Sequence, residues 1–463
     1  MRKRILVVVM ALMATAMVGM PGVQAHDDHH TKDPLQSQGK DFATVRNGPP
    51  EHSNAPDSFA PCIRGTATVG DTEFDCRRID LMSWLDFEDL GGGVTEITFV
   101  NDIWGWTDPE TGNDYALVGA AEGVVFVDIS DPKRPEVLGI LPTASTEGGE
   151  FWRDIKVYAD HAFVVSEHEN HPMQVFDLTQ LRDVTEYTTF TETALYPGTA
   201  EQEMLHAHNL NINTDTGYAY IVGSDSCDGG LHMVDISDPS DPTFAGCFGD
   251  YGYIHDVQCV VYEGPDADYR GREICFASNA EIIDPDADFT PENILNALAI
   301  VDVTDKDNPV GIAQVEYEGD GYSHQGWLTQ DQQYFLHGDE LDEIFHGVGT
   351  TTRVWDVRDL DNPTVIGVFE NDTTSIDHNI YTEGRWAFAS NYTSGLRVYD
   401  LANVAEGELS EVAYFDVHPG DEVLDFLGTW SNYAYFRQKN IVAVSSIDRG
   451  LFILRPRLKG PQQ

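Results

Sequence analysis

A closed ring of seven four-stranded blades, an all-β propeller, is the fold this sequence predicts, and three observations predict it. The first is a cassette at residues 125–139, VFVDISDPKRPEVLG, in which an alternating apolar run reads as a strand. An Asp and an Asp-Pro turn follow it, and a second apolar run reads as the returning strand. The second is recurrence: HMVDISDPSDPTFAG starts at His232, AIVDVTDKDNPVGIA at Ala299, RVWDVRDLDNPTVIG at Arg353, RVYDLANVAEGELSEVA at Arg397, QVFDLTQLRDV at Gln174 and a worn FILRPR at Phe452. The third is spacing. The Asp ending the third strand stands at positions 128, 177, 235, 302, 356 and 400 and gives way to Arg455, at intervals of 44 to 67 residues. Four strands with their turns need roughly 40–50 residues, the size of a propeller blade.

Each repeat from residue 91 onward divides into four strands. In the first, ITFVNDIWGWTD is innermost, followed by DYALVGAA, GVVFVDIS and RPEVLGILP. The recurrent Asp is expected to accept hydrogen bonds from backbone N–H groups two and three residues on, and the following Pro fixes the turn. The last cassette lacks a fourth strand, so a strand from within residues 80–100 is expected to complete the blade that ends at Pro456, which removes the exposed edges. The widest interval, between Asp235 and Asp302, holds ASNAEIIDPDADFTPENILNA, expected to project from one face as a loop or short helix.

Ahead of the ring, residues 1–25 place three basic residues before an apolar segment and end in Val23-Gln24-Ala25, a pattern read as a cleaved signal peptide. Residues 26–61, beginning HDDHH, are acidic and His-rich with little apolar periodicity and read as a disordered arm. Residues 62–90 read as a small disulfide-closed segment against one end of the propeller, which spans residues 91–457 before a tail at 458–463. The six cysteines fall in sequence-near pairs, Cys62 with Cys76, Cys227 with Cys247 and Cys259 with Cys275. Six cysteines permit fifteen pairings, so proximity is only a guide, although the last pair lies on two strands of one expected hairpin. No C-x-x-C spacing supports a cysteine metal cluster. A secreted, extracellular or periplasmic monomer with no membrane span after signal removal is the expectation.

Acidic residues outnumber Lys and Arg by 78 to 27, for a net charge of −51. Such a surface repels nucleic acid and anionic membranes, which excludes both as partners, and it suits high ionic strength or divalent cations. The alternation Asp284, Asp286, Asp288, Thr290, Glu292 resembles a calcium loop, but Phe289 and Leu295 stand where an EF-hand needs Gly and Glu, leaving only a looser calcium site open. The run Gly338-Asp339-Glu340-Leu341-Asp342-Glu343 reads as a solvated acidic loop unless it turns toward the channel. Asn371-Asp372-Thr373 and Asn391-Tyr392-Thr393 fit the glycosylation acceptor pattern.

A second repeated feature opens each innermost strand: Asn101-Asp102, Arg153-Asp154, His208-Asn209, His255-Asp256, His324-Gln325, His378-Asn379 and Trp430-Ser431. Innermost strands line the channel, so equivalent positions converge there. One reading is a metal or ligand site with His208, His255, His324 and His378 as imidazole donors and Asp102, Asp154 and Asp256 as carboxylate or supporting partners. The other is a set of buried polar pairs that fix the packing of the blades. The sequence does not specify a cofactor and leaves a divalent metal or calcium open. Common hydrolase and nucleotide motifs are absent.

Several long segments resemble the choice-of-anchor B family of secreted proteins with LVIVD repeats. They include the paired cysteines ahead of IDLMSWL, NDIWGWTDPETGNDYALVG, FVDISDPKRPEVLGILPT, WRDIKVYADHAFVVSEH, HDVQCVVYEGPDADYRGREICF, YSHQGWLTQDQQYFLHGDELDE, DHNIY and RGLFILRP. The resemblance covers about residues 62–456 and implies an extracellular β-propeller in a family whose members end in varied surface anchors. This chain departs by ending without one. It implies no catalytic residues. The sequence therefore supports a secreted interaction module for a protein, glycan or small molecule, with a metal-dependent enzyme centred on the channel histidines as the rival.

Overall fold

The computed structural model describes residues 58–284, 287, 289–420 and 423–458. The expected signal peptide, nearly all of the expected arm, most of the tail, and Asp286 and Asp288 of the acidic alternation lie outside the described residues. Seven antiparallel sheets each run outward from an innermost strand. The innermost strands are Val100–Thr107, Glu147–Tyr158, Asn209–Asn213, Ile254–Val261, Ser323–Leu328, Ile380–Glu383 and Thr429–Phe436. Each touches the next, and the last touches the first, so the ring is closed. The fold is a seven-bladed β-propeller.

Closure comes from the N-terminal side. Ile79–Leu85 pairs antiparallel with Gly450–Pro456, from Ile79 opposite Pro456 to Leu85 opposite Leu451. The rest of the N-terminal segment does not sit against one end of the ring. Its hairpin, Thr66–Val69 and Thr72–Arg77, adds to the outer edge of blade 6, with Cys76 opposite Phe415 and Arg77 opposite Tyr414. The physical reason is the open edge of Ser410–Phe415, which the hairpin covers while burying Ala67, Phe74 and Cys76. All three near-sequence cysteine pairs are bonded, and Cys259 lies directly opposite Cys275 in its hairpin.

The recurrent Asp does the same thing in every copy. Asp128, Asp177, Asp235, Asp302, Asp356 and Asp400 each accept the backbone N–H two residues on, at 2.8–3.0 Å. The glycine that closes the cassette marks close approach between chains. A Cβ at Gly246 would lie 1.9 Å from Lys306 O, in the turn of the next blade, so only glycine fits there. Apolar residues fill the gaps between neighbouring blades: Phe126 stacks on Phe176 at 4.8 Å between blades 1 and 2, and Phe276 on Phe335 at 5.9 Å between blades 4 and 5. Each blade is therefore apolar on both faces, as its near-continuous buried strands require.

The long insertion is in large part strand, with the short 3-10 helix Pro291–Asn293 near its tip. It lengthens two strands of blade 4, Glu273–Ile282 and Ile294–Asp302, which remain paired as far as Ile282 opposite Ile294. Ile282 and Ile294 then join Phe99, Trp152, Tyr253, Tyr322, Tyr392 and Trp430 in one apolar cluster, with Phe289 and Phe345 packed against it. Burying those side chains is what draws the hairpin in. Asn391 and Thr393 are also buried, which removes that sequon from a folded acceptor's reach.

Near the seam between blades 6 and 7, His418 Nδ1 lies 3.0 Å from Asp448 Oδ2, and Asp448 Oδ1 accepts the backbone N–H of Gly428 at 3.0 Å. Burial works against the Asp448 carboxylate, but the hydrogen bond and charge of His418 prevail and hold its pKa down at about 2. Burial likewise disfavours the His418 cation, and Asp448 overcomes it and raises His418 above its ordinary value. The lowered acid contributes stability that is complete above about pH 4 and lost as pH falls toward 2. The raised base contributes stability that is complete below about pH 6.5 and lost as pH rises through its folded value. The destabilisation caused by His418→Asn is thus expected to be largest between about pH 4 and 6.5 and to shrink on both sides. Urea midpoints across that range check it, and a pH-independent difference would refute the pairing.

Candidate metal centre in the channel

Two of the histidines, His255 and His324, reach the channel because the innermost strands bulge where they stand, while His208 and His378 lie just ahead of their strands. In blade 4, Ile254 pairs with Asn279 and Asp256 with Ser278, so His255 has no partner in the ladder. In blade 5 the same slip leaves out His324, and in blade 7 it leaves out Trp430. A bulge turns its extra side chain away from the regular alternation, here toward the axis. The result is an arc of rings, His208, His255, His324, His378 and Trp430, with successive centroids 4.1, 4.2, 4.3 and 4.3 Å apart. Trp152 continues it, stacked on Trp430 at 4.3 Å.

Hydrogen bonds fix two of these imidazoles in one tautomer. His255 Nδ1 lies 2.9 Å from His324 O, and His378 Nδ1 lies 2.5 Å from Trp430 O. A carbonyl only accepts, so Nδ1 carries the proton in both and Nε2 keeps its lone pair. His208 Nδ1 instead meets the buried Glu167 carboxylate at 2.6 Å. Burial opposes protonation of His208, yet Glu167 outweighs it and raises its pKa. Burial drives His255, His324 and His378 the other way, His378 to about 3, so these three are neutral ligands at neutral pH.

The sequence reading missed the carboxylate that faces them. Glu340 is wholly buried and places its two oxygens 3.7 Å from His324 Nε2 and 3.7 Å from His378 Nε2, while Tyr392 Oη donates to Oε1 at 2.6 Å. Burial raises Glu340 to about 7. The acidic run at 338–343 therefore turns toward the channel rather than into solvent. His324, Glu340 and His378 present three donor atoms within 4.8 Å of one another. An ion bonded to nitrogen at about 2.0–2.1 Å and to a carboxylate at about 2.0–2.2 Å needs ligand atoms about 3.4 Å apart in a tetrahedron, so the donor atoms must draw together on binding. His255 Nε2 is buried without a hydrogen-bond partner among the described residues, beside His324 in the arc. The four imidazoles line a cavity, shared with Asp102, Asp154 and Trp430, whose free volume is about 20 Å³, room for one water or ion rather than an organic ligand.

The other candidates have a different place. Lys156 Nζ lies 2.5 Å from Asp154 Oδ1 and 3.8 Å from Asp102 Oδ2. Burial raises Asp102 well above its ordinary value and Asp256 to about 7, while the Lys156 charge pulls both down. Asp102 also accepts the N–H of Ile155, Asp154 that of Leu210, and Gln325 that of Ile380. The second dyad residue in these blades thus ties one innermost strand to its neighbour, and Asp102 and Asp154 pair with Lys156 while lining the same cavity as the four imidazoles.

Comparison with known proteins bears on the repeats. The family model for the LVIVD repeat matches residues 112–143 and 210–250. The chain carries LVIVD repeats. Each matched LVIVD span contains a cassette Asp, Asp128 or Asp235, with its turn. No curated protein matches the chain. Similar solved structures include the WD40 repeats of RRP9, at 8% identity over 78% of this chain and 95% of that chain, with a TM-score of 0.49. Others are the β-propeller domain of Cps50 (Swd1) from Myceliophteria thermophila, at 11% over 74% and 94% with TM-score 0.46, and U3-55K, at 9% over 78% and 96% with TM-score 0.48.

Proposed function

We propose that this protein is a secreted interaction module built on a β-propeller, with one divalent first-row transition-metal ion held in its channel by His324, Glu340 and His378. One observation carries the metal: two neutral imidazoles direct Nε2 at the two oxygens of one buried carboxylate, 3.7 Å from each. Imidazole and carboxylate together suit zinc, copper, iron or nickel. The role of the ion in this reading is to join blades 5 and 6 at the axis and to lock the channel, because the cavity is too small for a metabolite. The partner, an extracellular protein or glycan, is then met by the outer surface.

Secretion is supported by the basic-apolar-small leader and by three disulfides, which persist in oxidising compartments. Among the described residues no helix is long and apolar enough to cross a membrane. The resemblance of residues 62–456 to choice-of-anchor B proteins supports the same location.

The test is elemental analysis of full-length protein made without a purification tag. About one equivalent of a single transition metal is expected, falling at least tenfold in the His324→Ala/His378→Ala double variant and also in Glu340→Gln, which preserves shape. Wild-type protein that is metal-free, and whose melting temperature responds to neither chelator nor added zinc or copper, would overturn the centre.

A further inference from the structure

We infer that Asp342, Glu343 and Asp377 form a separate calcium site beside the histidine centre. All three are buried, at 1%, 0% and 5% exposure. Asp342 and Glu343 come from the one-turn helix Asp342–His346, and Asp377 from the residue before His378. Each of the two helix residues is held by one oxygen. Thr351 Oγ1 donates to Asp342 Oδ2 at 2.6 Å and Arg353 Nη2 lies 3.0 Å from the same atom, while the Asp377 backbone N–H donates to Glu343 Oε1 at 3.2 Å.

The remaining oxygens carry the argument. Asp342 Oδ1, Glu343 Oε2 and Asp377 Oδ1 are buried with no hydrogen-bond partner among the described residues. The three carboxyls offer donor atoms within 4.8 Å of one another, close enough for one ion with oxygen ligands at about 2.4 Å to reach all three. Neighbouring groups do not settle the charge. Asp339 is saturated by Tyr317 Oη and by the N–H groups of Gly321, Tyr322 and Leu341. Arg353 supplies one cation, divided between Asp342, Thr351 and the Gly319 carbonyl. Three buried carboxylates facing one shared guanidinium require further positive charge, and orphaned oxygens cost several kcal/mol unless something binds them.

Donor chemistry selects the ion. An all-oxygen set with no imidazole or thiolate suits a hard cation, and calcium accepts irregular mixtures of monodentate and bidentate carboxylates where magnesium demands a near-ideal octahedron. The site is independent of the transition-metal reading, since it shares no ligand with His324, Glu340 and His378.

The experiment uses the full chain, stripped with chelator and returned to calcium chloride, with bound calcium counted by equilibrium dialysis and melting followed in parallel. Wild type is expected to bind one more calcium per chain than Asp377→Asn and than Glu343→Gln, and to melt about 3 °C higher at a hundredfold excess over Kd. The His324→Ala/His378→Ala variant is expected to keep that calcium, which separates the two centres. Both substitutions are isosteric, and either one that folds gives the answer. Equal calcium binding by wild type and a folded variant, or a wild-type melting temperature indifferent to millimolar calcium, would overturn the site in favour of shared protons.

Discussion

Phe452→Ala destabilises the protein by about 3–5 kcal/mol, the range for emptying a buried aromatic site. Phe452 is fully buried in Gly450–Pro456 and stands opposite Trp84 of the closing strand, ring stacked on ring at 5.4 Å. Phe74 of the rim hairpin meets it edge-on at 5.8 Å, and Phe415 of blade 6 lies at 6.5 Å. One ring therefore joins the closing strand, the rim hairpin and two blades. Denaturant unfolding with an unchanged slope is the check. Phe452→Leu should cost less than Phe452→Ala because it leaves a smaller cavity, and a loss below about 1.5 kcal/mol for alanine would show that closure does not depend on this contact.

Lys156→Met should cost about as much, roughly 3–5 kcal/mol, for a different reason: it strips a buried cation from its anions. Methionine keeps the apolar stem beside the Trp104 ring, over which the ammonium now stands at 4.6 Å. What disappears is the charge facing Asp154 and Asp102, both buried. The measurement is a double-mutant cycle with Asp154→Asn. Recovery of 1 kcal/mol or more in the double variant is the expected coupling, and strict additivity would show that packing alone explains the loss.

The fold was legible because its determinants are local. Asp128, Asp235 and Asp356 each make the same bond two residues on, so the pattern survives without knowledge of what surrounds it. Cys259 and Cys275 could be placed on one hairpin for the same reason. The histidine arc was legible from the repeat: equivalent positions of innermost strands must converge. Glu340 and Glu167 were not. They occupy one equivalent position near the end of the second strand, where blade 4 has Ala280 and blade 7 has Ile447, so the repeat carries no periodic acid to notice. The run at 338–343 has the composition of a solvated loop, and only the ring geometry turns Glu340, Asp342 and Glu343 inward. The ion pairs of Asp102 and Asp154 with Lys156 were not legible because Lys156 lies two residues along the strand, outside the repeated dyad.

Closure by Ile79–Leu85 has a consequence for biogenesis. This strand is synthesised well before its partner Gly450–Pro456, so blade 7 cannot assemble until every other blade has been made. Until then the nascent ring carries open β-edges on both sides of the gap, a state prone to aggregation that the last pairing ends.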